Sequence, residues 1–353
     1  METTFLSEKP QVRDIQTPRL RMRVRSCGDE SAKPIILIHG NFSSSFYFEN
    51  LMLALPPHMY TIAVDLRGYG DTEDKIIDAT RGARDWADDL AALCKTLNIK
   101  SAHWLGWSAG AGAILQLLID SPALMDSLTL IAPVSPYGFG GTRDLMGTPC
   151  HEDYAGSGGG TVPTEFIEKI AQQDRGTKSP LSPRNVIQQS FFYQAPAEPL
   201  VDEFLTASLS QHLGPDRYPG DSRNSPHWPH TSPGQYGPLN AISAQYFNVE
   251  AIAELPNKPP ILWVRGDQDI IISNQSLSDF GVLGQMGLVD GWPGTESYPA
   301  QPMVDQTRQV LQKYSEQQGS VQEEVMKDTG HSPFIEDQAA FLKIFMPFIE
   351  DFE

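Results

Sequence analysis

Ser108 lies in Gly106-Trp107-Ser108-Ala109-Gly110, a G-x-S-x-G stretch. A serine hydroxyl is a weak nucleophile. It becomes useful when a base takes its proton and when donors wait for the negative charge that forms on a carbonyl oxygen. Small residues on either side of the serine let a strand turn sharply into a helix. The turn lifts Oγ to the carboxyl edge of a sheet and sets a helix N-terminus beneath it. The amide of Ala109 then faces the developing oxyanion. A second donor is expected from the loop opened by His39-Gly40, where the amide of Asn41 is favoured and Phe42 follows closely. His39 itself reads as a packed, structural histidine.

The base should lie in a loop near the C-terminus, and His331 in Asp328-Thr329-Gly330-His331-Ser332-Pro333-Phe334 has that setting. The carboxylate that orients the base belongs at the carboxyl end of a strand. Arg265-Gly266-Asp267-Gln268-Asp269 offers two, and Asp269 is preferred to Asp267. The chemistry of this set is acyl transfer to water. His227 and His230 are spaced H-x-x-H, but in a proline-rich loop without a matching Cys or acid cluster, so no metal site is expected. Gly110–Leu115, GAGAIL, starts within the helix after the serine and is no dinucleotide fingerprint. No cofactor is expected.

The elements that must position these residues alternate along the chain. Pro34–Gly40, Tyr60–Gly70 and Ser101–Trp107 read as apolar strands, and Met125–Pro136 reads as another. Ala83–Ile99 and Ala109–Pro122 read as helices between them. Strand–helix–strand alternation at this pitch predicts an α/β class protein. Its central sheet is mostly parallel and flanked by helices, because parallel strands covered on both faces read as continuous apolar runs. Pro259–Asp269 and Ser320–Glu336 resume the sheet, and a helix closes the chain. Between them, from about residue 137 to 255, the chain is rich in Gly, Pro, Ser and His. It reads as short helices and long loops inserted after the sixth strand. Phe191, Phe192, Tyr193, Trp228, Tyr236, Tyr246 and Phe247 argue against a disordered linker.

The 353 residues are 40% hydrophobic and 20% charged, enough for one large domain with an insertion. A formal net charge of −18 argues against nucleic-acid or anionic-membrane partners, since both need a basic face. A small-molecule substrate is the expected partner, and the oligomeric state stays open. Cys27, Cys94 and Cys150 form neither a metal pattern nor a disulfide framework. With no secretory pattern at the N-terminus and no long apolar run, they point to a cytoplasmic setting.

HGNFSSSF, DLRGYGDT, GWSAG, RGDQD and GHSPF occur in one order along the chain. With them the chain resembles the α/β-hydrolase superfamily over roughly residues 19–136 and 258–353. The resemblance implies the α/β-hydrolase fold, with residues 1–136 and 256–353 as core and 137–255 as a cap. It implies Ser108 as nucleophile, His331 as base and Asp269 as orienting acid, and it makes Asp65-Leu66-Arg67-Gly68 a structural turn. The implied activity is that of a serine esterase or lactonase. A thioesterase, a C–C bond hydrolase or a non-catalytic binding protein of the same fold are the alternatives. Trp107 beside the nucleophile, Phe42 and the aromatic insertion suggest an apolar or aromatic substrate. One departure stands out: the stretch between Asp269 and His331 is long for the superfamily, and it is expected to add a helix and a pocket wall.

Overall fold

The computed structural model describes residues 9–351. Eight strands form the main sheet, in the order β1-β2-β4-β3-β5-β6-β9-β10. These are β1 (Gln11–Gln16), β2 (Arg21–Gly28), β3 (Pro34–Ile38), β4 (Tyr60–Val64), β5 (Ala102–Trp107), β6 (Met125–Ile131), β9 (Ile261–Gly266) and β10 (Val321–Met326). The two remaining strands, β7 (Ser222–Asn224) and β8 (Thr231–Pro233), make a separate small hairpin. From β4 to β10 all pairings are parallel, while β1 and β2 are antiparallel to their neighbours. The mostly parallel sheet expected from the apolar runs is what forms.

Burial explains which strands sit centrally. Every residue of β4 and β5 is buried, as is most of β3, so helices cover both faces. β1, at the edge of the sheet, is largely polar and exposed, and β2 beside it alternates arginines with buried apolar residues. Their charged residues gave no apolar run to read. The helix Ala109–Asp120 is buried from Ala109 to Leu118 and apolar nearly all round, as befits a helix inside the molecule.

The helix Arg84–Thr96 buries two acids along with its apolar residues. Asp85 and Asp89 lie on its buried side, not in solvent. Asp89 takes two hydrogen bonds from Arg67, at 2.7 and 2.8 Å, and one from Arg19 at 2.6 Å. A buried carboxylate is tolerated only when paired and hydrogen-bonded in this way. Asp65 of the same turn accepts from the amides of Ser45 and Asp71, at 2.8 and 2.9 Å, and so ties two loops at the sheet edge.

The chain leaves the main sheet after β6 and returns at β9. The glycine- and proline-rich stretches there are held by specific polar staples. Asn240 is fully buried. It accepts from the Gly159 amide at 2.8 Å and donates to the carbonyls of Asp221 and Tyr236 at 2.8 and 2.7 Å. Five of the seven aromatics noted there, Phe191, Phe192, Trp228, Phe247 and the partly buried Tyr246, pack inward, whereas Tyr193 and Tyr236 are exposed. Between β9 and β10 the long stretch folds as helices Phe280–Gln285 and Met303–Glu316. The second is fixed by Gln306, whose amide reaches Thr142 and the carbonyl of Asp144.

Candidate active site

Ser108, Asp269 and His331 all follow the carboxyl ends of parallel strands: β5, β9 and β10. Ser108 has φ 57° and ψ −119°, a conformation that residues other than glycine rarely adopt. The turn is possible because its neighbours are glycines. A Cβ on Gly110 would lie 2.3 Å from the carbonyl oxygen of Ile38, and one on Gly106 would lie 2.6 Å from Cα of Ala111.

His331 and Asp269 are joined. Nδ1 of His331 lies 2.8 Å from Oδ2 of Asp269, with both side chains almost wholly buried. The other carboxylate oxygen accepts from the amides of Ile271 and Ile272 at 2.8 and 3.0 Å. Those amides leave the carboxylate one orientation. Asp267, the alternative acid, is exposed.

Asn41 and Phe42 follow β3 and face the same space as Ser108. Phe42 is a second non-glycine residue in the left-handed region, with φ 52°. Among the described residues the backbone N–H groups of Asn41, Phe42 and Ala109 have no intramolecular acceptor. The Asn41 side chain is held from behind by the Tyr69 hydroxyl, which donates to Oδ1 at 2.9 Å. His39 is fully buried and accepts the Leu66 amide on Nε2 at 3.1 Å, while Nδ1 lies 2.8 Å from the Gly40 carbonyl. Burial holds its imidazole below the ordinary value, so it is a neutral strut for this loop.

Trp107 does not belong to the cavity wall, contrary to the expectation that it contacts substrate. The indole is fully buried and packs on Tyr47, Phe191 and Phe334. Successive side chains of a strand leave opposite faces, so the residue before the turn points away from where the serine emerges. Its Nε1 donates to the His331 carbonyl at 2.9 Å, so the strand that carries the serine also holds the histidine loop. Glu336 adds a second hold. Its carboxylate accepts from the Gly330 amide at 2.7 Å and from those of Tyr193 and Gln194 at 2.9 Å. Burial and the nearby Asp269 charge push this carboxyl up.

Ser108 opens on a cavity of about 380 Å³, within the ordinary size of small-molecule sites. Asn41, Phe42, Ser108, Ile271 and Ile272 line it from the sheet edge. Phe166, Phe191, Tyr218 and Ile242 come from the excursion after β6, and Leu277, Phe280 and Leu283 from the stretch between Asp269 and His331. Among the described residues no charged side chain lines it. Asn41, Thr161, Asn185, Gln189, Ser190, Tyr218 and Ser278 are its uncharged polar groups besides the serine. Nothing in the sequence pattern singles out Tyr218, which sits in a loop with no motif. His227 stacks on His151, ring centroids 4.3 Å apart. No group of three or more His, Cys, Asp or Glu is placed to hold a metal among the described residues.

Residues 33–283 match the model of a family described as alpha/beta hydrolase fold. The chain belongs to that family. It is 34% identical over 125 residues to the 2-(acetamidomethylene)succinate hydrolase of Mesorhizobium japonicum, covering 35% of this chain and 43% of that protein. It is 28% identical over 119 residues to the carboxylesterase YbfK of Bacillus subtilis, covering 33% and 39%. The chain thus spans less than half the length of these curated relatives. Among solved structures, an esterase from Exiguobacterium antarcticum superposes with a TM-score of 0.58 at 16% identity, covering 96% of this chain and all of that one. The Bacillus subtilis carboxylesterase CesB superposes with a TM-score of 0.58 at 15% identity, covering 97% and 92%. At these identities the structural likeness establishes the fold. No described helix is long and apolar enough to cross a membrane.

Proposed function

We propose that the chain is a serine hydrolase that cleaves a carboxylic ester or lactone of a small, uncharged, hydrophobic molecule. Ser108 Oγ attacks the carbonyl while His331 takes its proton. Asp269 holds the imidazole with Nδ1–H toward itself, leaving Nε2 to accept the serine proton, and stabilises the imidazolium that forms. The amides of Ala109 and Asn41 receive the oxyanion, with a loss of each worth about 3 kcal/mol at comparable sites. His331 then protonates the leaving group, and water repeats the sequence on the acyl-enzyme. The excursion 137–255 acts as the cap that closes the cavity over the substrate, and Phe42 is part of the pocket wall. The three free cysteines fit the cytoplasmic setting.

The observation that carries this reading is the His331–Asp269 pair at 2.8 Å beside a cavity onto which the strained Ser108 opens. The uncharged lining supports a neutral substrate. A dicarboxylate, such as the name of the Mesorhizobium relative implies for that enzyme, would enter with no cation to meet it. Hydrolysis of a panel of neutral 4-nitrophenyl esters and lactones, with anionic esters beside them, tests it. Neutral esters should turn over, anionic ones should not, and Ser108→Ala should lose nearly all turnover. Equal rates on both classes would contradict the reading.

A further inference from the structure

The phenol of Tyr218 is 2% exposed and lines the cavity beside Asn41 and Ser108, although it comes from a loop far along the chain. Its ring packs against Phe42 and Tyr69, with centroids 6.3 and 6.4 Å away. The Asn41 carboxamide shares the cavity wall with this phenol, and it acts on the phenol as a donor does, against the effect of burial. Oδ1 of that carboxamide already accepts the Tyr69 hydroxyl at 2.9 Å. With Tyr69 on Oδ1, that donor is the amide NH2, the only donating group of the carboxamide. Tyr218 then keeps its own hydroxyl proton. Burial pushes the phenol up, so it stays protonated at neutral pH. Among the described residues that proton has no acceptor.

A donor in this position has a consequence for selectivity. A substrate whose acyl chain is all carbon would cover the hydroxyl and strand it, and a buried polar group without a partner is costly. A substrate with an oxygen there satisfies it. Sites built around such a donor discriminate strongly against analogues that lack the acceptor. The geometry points to Tyr218 as a specificity-determining donor that binds a second oxygen of the acyl group, an ether, keto or hydroxyl oxygen two bonds from the scissile carbonyl carbon. The short distance follows from Asn41. Its backbone amide is assigned to the oxyanion and its side chain carries the phenol, so the two acceptors of the substrate must be close. This inference rests on the acyl-transfer reading above.

The test compares two isosteric substrates, 4-nitrophenyl methoxyacetate and 4-nitrophenyl butanoate, on wild type and Tyr218→Phe. Taking the ratio of their kcat/KM values on each protein cancels the intrinsic reactivity of the esters. The ratio should fall about tenfold in the variant, the worth of one net hydrogen bond. A ratio within twofold of wild type overturns the inference. Tyr69→Phe, which leaves Tyr218 in place and frees Asn41 Oδ1, should lower the ratio by a smaller factor. It gives the answer if Tyr218→Phe does not fold, and an unmoved ratio there again overturns the inference. Labelling of Ser108 by a fluorophosphonate separates the two claims. Labelled protein with an unmoved ratio removes Tyr218 alone, whereas wild type that resists labelling removes the acyl-transfer reading and this inference with it.

Discussion

Replacing Asp269 with Asn probes the proposed triad with little change of shape. In the wild type, one carboxylate oxygen takes the amides of Ile271 and Ile272 and the other takes Nδ1 of His331. An asparagine must keep its carbonyl oxygen on the two amides, because two donors converge there. Its NH2 is then forced onto Nδ1 of His331. The imidazole answers by moving its proton to Nε2, and the nitrogen that should accept from Ser108 becomes a donor. Two losses follow. The charge-assisted bond that stabilises the imidazolium is worth about 1.5–3 kcal/mol. The wrong tautomer must be corrected before each attack, at a further cost of about 2–3 kcal/mol if Asn disfavours the productive form as a lost hydrogen bond would. Together they predict a fall in kcat of about 10³–10⁴-fold near neutral pH, at about 1.4 kcal/mol per factor of ten. Steady-state hydrolysis of a 4-nitrophenyl ester, with thermal melts alongside, measures it. Asp267→Asn, at an exposed site, should leave kcat within twofold. An Asp269→Asn enzyme that keeps a tenth of wild-type kcat would refute the tautomer argument.

Three further outcomes follow from buried polar contacts. Trp107→Phe removes the donor to the His331 carbonyl and should destabilise the fold by about 1–3 kcal/mol, read by urea denaturation, with slower hydrolysis from the loosened His331 loop. Glu336→Gln leaves one oxygen to serve three amides, so limited proteolysis should speed up around the exposed Tyr193. Burial pushes the Asp279 carboxyl up to about 6 from 3.8. A raised folded value means that the folded state holds the proton more tightly, so stability is lost as pH rises through that window. Relative to Asp279→Asn, which keeps an acceptor for the Gln301 amide, wild type should lose up to about 3 kcal/mol between pH 4 and pH 8. Urea midpoints at the two pH values decide it, and a constant difference would contradict the shift.

The fold was legible where burial on both faces leaves continuous apolar runs, as in β3, β4 and β5. β1 and β2 were silent because charged residues interrupt them, and the burial of Asp85 and Asp89 was silent because the arginines that pair with them, Arg19, Arg67 and Arg81, lie outside their helix. The turn at Ser108 was legible because only glycine tolerates its neighbours. The pairing of His331 with Asp269 was legible from strand ends and order. Trp107 was misread, since adjacency in sequence says nothing about the face from which a strand residue leaves. Tyr218 could not be read at all: its importance comes from contacts with Asn41 and Tyr69, more than a hundred residues away, and no local spacing encodes them.

The central claim is that Ser108 is an activated nucleophile. Intact-mass measurement after exposure to a fluorophosphonate tests it most directly, on wild type, Ser108→Ala and His331→Ala. One adduct per wild-type chain, absent from both variants, is the predicted result. Wild type that is folded and unmodified, or a Ser108→Ala chain that still gains the adduct, would contradict it.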